Sequence, residues 1–246
     1  MEIRYWHAIE RLAVEPMAAE IRRELLPELV PGRLLMGHGY IADSLTISLE
    51  ELLARVWRNV EAKNTNFDEK AEQAAIDYEA QSRRWSLVEH GAMLRSIGLD
   101  PVSKDLFLLS ARNRFVADNV RLIKSIPRQY LDRVGTQVKD AVTAGVRHET
   151  LAKQIEASHG VTANRAKLIA RDQISKHQGA LNQARQQAAG VDGYIWATAQ
   201  DERVRPTHRA NEGQRFDWST APPATGHPGF DIACRCIGIA DILRRS

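Results

Sequence analysis

Residues 201–236 read DERVRPTHRANEGQRFDWSTAPPATGHPGFDIACRC. Proline and glycine recur through this stretch, at Pro206, Gly213, Pro222, Pro223, Gly226, Pro228 and Gly229, so it cannot be one long helix. It holds both cysteines of the chain, Cys234 and Cys236, and two of its eight histidines, His208 and His227. Most of the preceding chain has the apolar spacing of helix, so the grammar changes near Gly190. Just before the stretch, Tyr194-Ile195-Trp196 reads as a strand between Gly193 and the polar Gln200-Asp201-Glu202. Phe216 to Trp218 reads as a short second strand, and Ile232 to Ile239 as a third. The expected fold class is mainly α with a small C-terminal α+β module. Its three parts are an N-terminal arm and loop (1–45), a helical domain (46–160) and the C-terminal module (161–246).

Upstream, residues 2 to 26 carry Ile3, Trp6, Ile9, Leu12, Ile21, Leu25 and Leu26 at helical spacing, which predicts helix interrupted near Pro16. Pro27, Pro31, Gly32, Gly37 and Gly39 predict a loop or hinge. Ser48 to Glu61 reads as a helix with a Ser48/Glu51 capping box and an apolar face of Leu49, Leu52, Leu53, Val56 and Val60. Asp68 to Ile97 is a polar helix with Ala71, Ala75, Tyr78, Trp85, Val88 and Leu94 as candidate core. Gly98 would cap it and Asp100-Pro101 would turn. Ser103 to Ile126 is helical again, and Pro127 would start a new helix running to Ala144, ended by Gly145. His148 to His159 would be a short helix ended by Gly160, with Leu151, Ala152 and Ile155 buried. Thr162 would cap a long one ended by Gly190.

A composition of 43% hydrophobic and 26% charged residues is that of an ordinary soluble globular protein. The net charge of +3 permits contact with nucleic acid without demanding it. No apolar run has the length of a membrane span. The opening MEIRYWHAIERLAVEP carries acids and no continuous apolar core, so it does not read as a signal peptide. A disulfide between Cys234 and Cys236 would close a small strained ring, so a reduced pair is expected.

His208, His227, Cys234 and Cys236 are candidate ligands for a structural zinc ion. The Cys-x-Cys pair is tighter than the usual spacing and eighteen residues separate the histidines, so the pattern permits a site without specifying one. A metal would supply folding free energy that a small Pro/Gly-rich module lacks. The alternative is two small buried thiols on a strand and two loop-capping histidines. On a strand the two thiols would share a face, which suits either reading. Four protein ligands would leave no open position for water. An enzymatic reading would use His208 as a general base beside Asp201, Glu202 or Asp231, or an open metal position. Neither Gly-x-Ser-x-Gly, a phosphate loop nor His-Glu-x-x-His is present, so a non-enzyme is expected. Arg203, Arg205, Arg209, Arg215 and Arg235 surround the candidate site. They could contact nucleic acid or a partner, or pair with Asp201, Glu202, Asp217 and Asp231. On the preceding helix Arg165, Lys167, Arg171, Lys176 and Arg185 do not fall on one stripe and read as a solvated face.

The order of pieces resembles the phage Mu F-like minor head protein family, also called phage head morphogenesis proteins. Those pieces are Ile169-Ala170-Arg171-Asp172-Gln173, Asn182, Arg185 and Gly190, then Tyr194-Ile195-Trp196. Asp201, Arg203-Val204-Arg205, His208, Gly213, Phe216 and Pro222-Pro223 follow, with Gly226-His227-Pro228 and Cys234-Arg235-Cys236 last. The similarity covers roughly residues 120 to 240, and Asp172-Gln173 stands where many relatives have Thr-Glu. It implies a non-enzymatic virion protein, present in few copies in the head interior or connector region, and in the host cytoplasm during assembly. It implies association with the portal protein, with scaffold or major capsid protein and phage DNA as further partners, and a role in head assembly and DNA packaging or ejection. It also implies that His208, His227, Cys234 and Cys236 form one Cys2His2 zinc set. The competing classes are a metal-dependent nuclease or hydrolase acting during packaging, and a non-specific DNA-binding module.

Overall fold

The computed structural model describes residues 2–29, 40–99, 106–144, 146 and 148–242. The elements in order are α1 (Glu2–Ile9), α2 (Glu15–Glu20), α3 (Tyr40–Lys63), α4 (Phe67–Ser96), α5 (Leu106–Thr143), α6 (His148–Ala188), β1 (Gly193–Ala197), α7 (Pro206–Ala210), β2 (Arg215–Asp217) and β3 (Ile237–Ala240). The fold is mainly helical with one small antiparallel sheet near the C-terminal end, as the sequence predicts. None of the described helices is long and apolar enough to cross a membrane.

Two compact units emerge, and they do not follow consecutive segments. One comprises 3–74 and 120–167; the other comprises 1–2, 75–119 and 168–246. The first is a helical unit. Its core takes Met17, Ile21 and Leu25 from the N-terminal run, Leu49, Leu52, Val56 and Val60 from α3, Tyr130, Val134 and Val138 from α5, and Leu151 and Ile155 from α6. These positions recur every three or four residues, which is what puts them on one face of each helix. Glu20, 4% exposed, is held by Arg23 and Lys63, each at 2.5 Å.

Four boundaries differ from expectation. Near Pro16 the N-terminal helix is not broken but changes type: a π-helical turn (Glu10–Val14) leads into α2, with Pro16 in its first turn, and the Leu12 carbonyl accepts from the Asn64 side chain at 3.0 Å. α3 begins at Tyr40, so Ser48 lies inside it and not at its start. Pro127 lies within α5, and Gly160 within α6. Each forfeits local helix stability, about 3 and 1 kcal/mol, and packing of the long apolar faces overrides that. Thr162, expected as a cap, instead donates its hydroxyl back to the Ser158 carbonyl at 2.8 Å. Pro27, the first residue of the expected loop, lies in a 3-10 turn (Leu26–Leu29), while Pro31 to Gly39, the Asp100-Pro101 turn and the Gly145 stop lie outside the described residues. Gly98 and Gly190 do end their helices, each with positive φ and the paired carbonyl contacts of a Schellman cap.

In α4 the buried stripe runs through Ala75, Tyr78, Ser82, Ser86 and Leu94. Trp85 and Val88, expected in the core, are 43% and 62% exposed. The stripe is partly polar because Ser82 and Ser86 meet Gln178 and the Arg185 Nε of α6. Arg185, expected on a solvated face, is 1% exposed.

The sheet has the order β2-β1-β3, antiparallel throughout. Tyr194 pairs with Phe216 on one side and with Ala240 on the other. Alternation along β1 sends Tyr194 and Trp196 inward, where they join Trp218, Cys234 and Cys236 in one small core. α6 backs this core through polar anchors. Asn182 and Gln186 donate to the Gly238 carbonyl at 2.8 and 2.7 Å, and the Trp218 indole donates to the Gln186 Oε1 at 3.0 Å. The Gly-His-Pro-Gly turn comes so close to α6 that a Cβ on Gly179 would meet the Pro228 oxygen at 2.6 Å.

Candidate metal centre

Pro206 at the first turn of α7 starts a short helix that directs His208 inward. The two thiols come from the turn and extended segment ahead of β3. The third strand was expected from Ile232, but it begins at Ile237, so Cys234 and Cys236 precede it. What shapes that segment is Ala233, with φ +50, whose N–H donates to the Asp172 Oδ1 on α6 at 2.9 Å. Asp172 also holds Lys176 at 2.6 Å. Asp172 therefore has a defined polar task.

His208, Cys234 and Cys236 meet: their potential ligand atoms lie within 4.8 Å of one another, and all three residues are buried. The His208 Nδ1 is 3.5 Å from each sulfur. A tetrahedral zinc, with Zn–N of about 2.0–2.1 Å and Zn–S of about 2.3 Å, sets nitrogen and sulfur about 3.5–3.6 Å apart, so these atoms fit three corners of such a site. The other ring nitrogen, Nε2, lies 3.0 Å from the Asp231 Oδ2. A carboxylate in that place fixes the ring and leaves Nδ1 as the ligand atom. Asp231 is itself tied to Arg205 and accepts from the Ile232 N–H at 2.7 Å.

His227 stands apart from this group. Its Nδ1 lies 3.0 Å from the Tyr194 hydroxyl, it hydrogen-bonds the Trp218 backbone, and its ring packs against Tyr194, Trp218 and Phe230. Burial holds its pKa below the usual histidine value, so it is a neutral core residue. The four-ligand set of the sequence reading is thus divided into three convergent ligands and one aromatic-core histidine.

The electrostatics suit a cation. The Cys234 thiol is lowered to about 5, chiefly because Cys236 donates a hydrogen bond to it, against the opposing effect of burial. The backbone N–H groups of Gly229 and Cys236, each 3.4 Å from its sulfur, add to this. Cys236 moves the opposite way, because its proton is held in the hydrogen bond to Cys234, burial disfavours its charge, and a second thiolate would sit beside the first. A bound dication would remove that conflict by neutralising both thiolates. Asp231 is held below the ordinary carboxylate range: burial opposes ionisation, and His208, the Ile232 N–H and Arg205 outweigh it.

The arginines divide as well. Arg235 forms a two-pronged pair with Asp201 at 2.6 Å in each arm, Arg205 pairs with Asp231, and Arg215 pairs with Asp217 at 2.8 Å and Asp241 at 2.6 Å. Arg203 is 71% exposed and lies 3.6 Å from Asp201, while Arg209 donates to the backbone carbonyls of Asp201 and Val204. Arg203, Arg205 and Arg235 also line a cleft of about 40 Å³ bordered by His208, Cys234 and Cys236.

Fold and site together define a helix-backed α+β module built around a potential metal-ligand triad. Residues 132–239, in the C-terminal half of the chain, match the family described as phage Mu protein F like protein. An uncharacterized protein of Haemophilus influenzae is 45% identical over 127 residues, which are 52% of this chain and 28% of that protein. An uncharacterized protein of Methanocaldococcus jannaschii is 28% identical over 116 residues, 47% of this chain and 17% of that protein. The chain spans less than a third of the length of these curated relatives. No solved structure gives a significant match.

Proposed function

We propose that the chain is a non-enzymatic minor head protein of a tailed phage or Mu-like prophage, which associates with the portal and acts in head morphogenesis and DNA packaging or ejection. The observation that carries this reading is the family match over residues 132–239, which spans the whole sheet but its last residue, and all four candidate ligands. The long helices supply apolar and polar faces suited to partner helices. Co-purification with the portal protein, with cross-links mapped to this chain, tests the reading. A portal preparation that never retains the chain, from cells expressing both, contradicts it.

Within that protein, zinc held by His208, Cys234 and Cys236 organises the C-terminal module. When bound, the ion supplies a neutralising charge and a fixed meeting point for α7 and the segment before β3. His208 and the two cysteines hold it, Asp231 orients His208, and Asp172 holds the turn that presents the thiols. Metal analysis of the purified protein tests this: less than about a tenth of an equivalent in a folded sample ends the idea.

A second reading has one observation behind it. Three protein ligands beside a cleft resemble the donor set of a catalytic zinc, which favours a metal-dependent hydrolase. Divalent-metal-dependent DNA cleavage, lost in His208→Ala with the fold intact, would establish that class and end the non-enzymatic one. Arg203 and Arg209 are the remaining contact candidates for DNA. Binding through them would weaken as salt rises, and affinity indifferent to salt excludes phosphate contacts.

A further inference from the structure

We infer that the metal centre has three protein ligands only, and that its fourth position faces the arginine-lined cleft and takes an exchangeable ligand, water or a small anion. This rests on the zinc reading above and deepens it, replacing a closed four-residue clip with an open one.

The first support is how the neighbouring donors are spent. His227, the expected fourth ligand, uses its Nδ1 on Tyr194 and packs inside the aromatic core. Asp231 places Oδ2 on His208 and Arg205, and Oδ1 on the Ile232 N–H. Glu212 accepts from the Thr198 N–H at 2.7 Å and from Gln200 at 3.3 Å. Among the described residues, the triad is the group of three or more His, Cys, Asp or Glu side chains that could hold a metal.

The second is space. The cleft bordered by the triad measures about 40 Å³. One water needs about 10–15 Å³ of such space, so the cleft has room for a water or a small anion.

The third is charge. Arg203, Arg205 and Arg235 line the cleft, and the carboxylates paired with them are those of Asp201 and Asp231. Glu202 also acts on Arg235, so guanidiniums and carboxylates on the rim balance in number, and Arg203 is the most exposed of the three arginines. Its guanidinium is the group placed to meet a small anion at the open position. Asp231 acts as a positioning residue: it holds His208 so that Nδ1 faces the sulfurs, and it keeps Arg205 at the cleft wall.

Cobalt(II) replaces zinc in the full chain, and its visible spectrum is followed during titration with azide, a small linear anion. The expected result is about one cobalt per chain with two thiolate ligands, and bands that shift saturably with azide. Arg203→Ala should bind the same amount of cobalt and need several-fold more azide. Asp231→Asn should lower metal affinity by on the order of 10- to 100-fold. X-ray absorption on the zinc form should fit two sulfurs, one imidazole and one exchangeable light atom. Bands unmoved by saturating azide at full loading, or a fit requiring two imidazoles, overturn the inference and leave the zinc reading standing. A chain that binds neither zinc nor cobalt stoichiometrically overturns both.

Discussion

In the helical unit of residues 3–74 and 120–167 the buried positions are mostly aliphatic and recur every three or four residues. In the sheet module of residues 193–242 they are aromatic rings and two thiols, rimmed by paired ions. The helical unit has enough apolar surface to hold its own core. The module has five core residues around three short strands and relies on directional contacts: polar anchors from α6, the Asp172–Ala233 hydrogen bond and the ligand triad. The difference teaches that the two regions respond to different insults, and four predictions follow that difference down in size.

The largest effect belongs to the triad. Cys234→Ser or Cys236→Ser should abolish zinc binding and the near-ultraviolet signal of Trp196 and Trp218, while far-ultraviolet helicity stays close to wild type. Full retention of both by either variant would mean that the module holds itself together without metal.

Next is the helical core. Ile155→Ala should cost about 2–5 kcal/mol, read as a lower urea midpoint followed by helicity, with zinc content unchanged. A loss well below that range would place Ile155 outside the cooperative core.

The third is a pH effect in the unit that carries the sheet module, which includes α4 residues 75–96. Burial, helped by the Arg185 charge, pushes His90 in α4 down to about 4. An unfolded histidine takes up its proton near about pH 6.5, so between those values the unfolded state binds more protons and stability falls as pH falls. The loss should reach up to about 3 kcal/mol by pH 4. His227, also lowered by burial, acts in the same direction. His90→Gln should flatten the urea midpoint between pH 6.5 and 4.5, and an unchanged slope would remove His90 from the account.

The smallest effect is at the surface. Arg203→Ala and Arg209→Ala should leave the urea midpoint where it is and reduce any salt-sensitive DNA binding. A large drop in stability would show that these two arginines are structural like Arg215.

Much of this was legible in the sequence, and the rest was not for identifiable reasons. The helices were readable because Leu49, Leu52, Val56 and Val60, and then Tyr130, Val134 and Val138, carry the period directly. Breaks predicted at Pro127 and Gly160 did not occur, because local propensity is a smaller quantity than the packing of a continuous face. Trp85 and Val88 misled because hydrophobicity marks buried positions only where the partner is apolar. In α4 the partners are Gln178 and Arg185, and serines take the stripe. The triad combined residues far apart in sequence, and which histidine joined the cysteines was undecidable from spacing. His227 is drawn away by the Tyr194 hydroxyl and the Trp218 ring. Asp231 was visible both as a neighbour of His208 and as a possible arginine partner, but not that it serves His208 and Arg205 at once. Asp172 was invisible as a support of the thiol turn, since it lies sixty-one positions before Ala233.

Hydrogen exchange on the intact chain, with zinc and after chelation, tests most directly whether the module is organised by its metal triad. Removing zinc should speed exchange at the Trp196, Trp218 and Cys236 amides by on the order of 100-fold or more, while the Val134 and Ile155 amides keep their protection. Equal protection of the module with and without metal would contradict the claim.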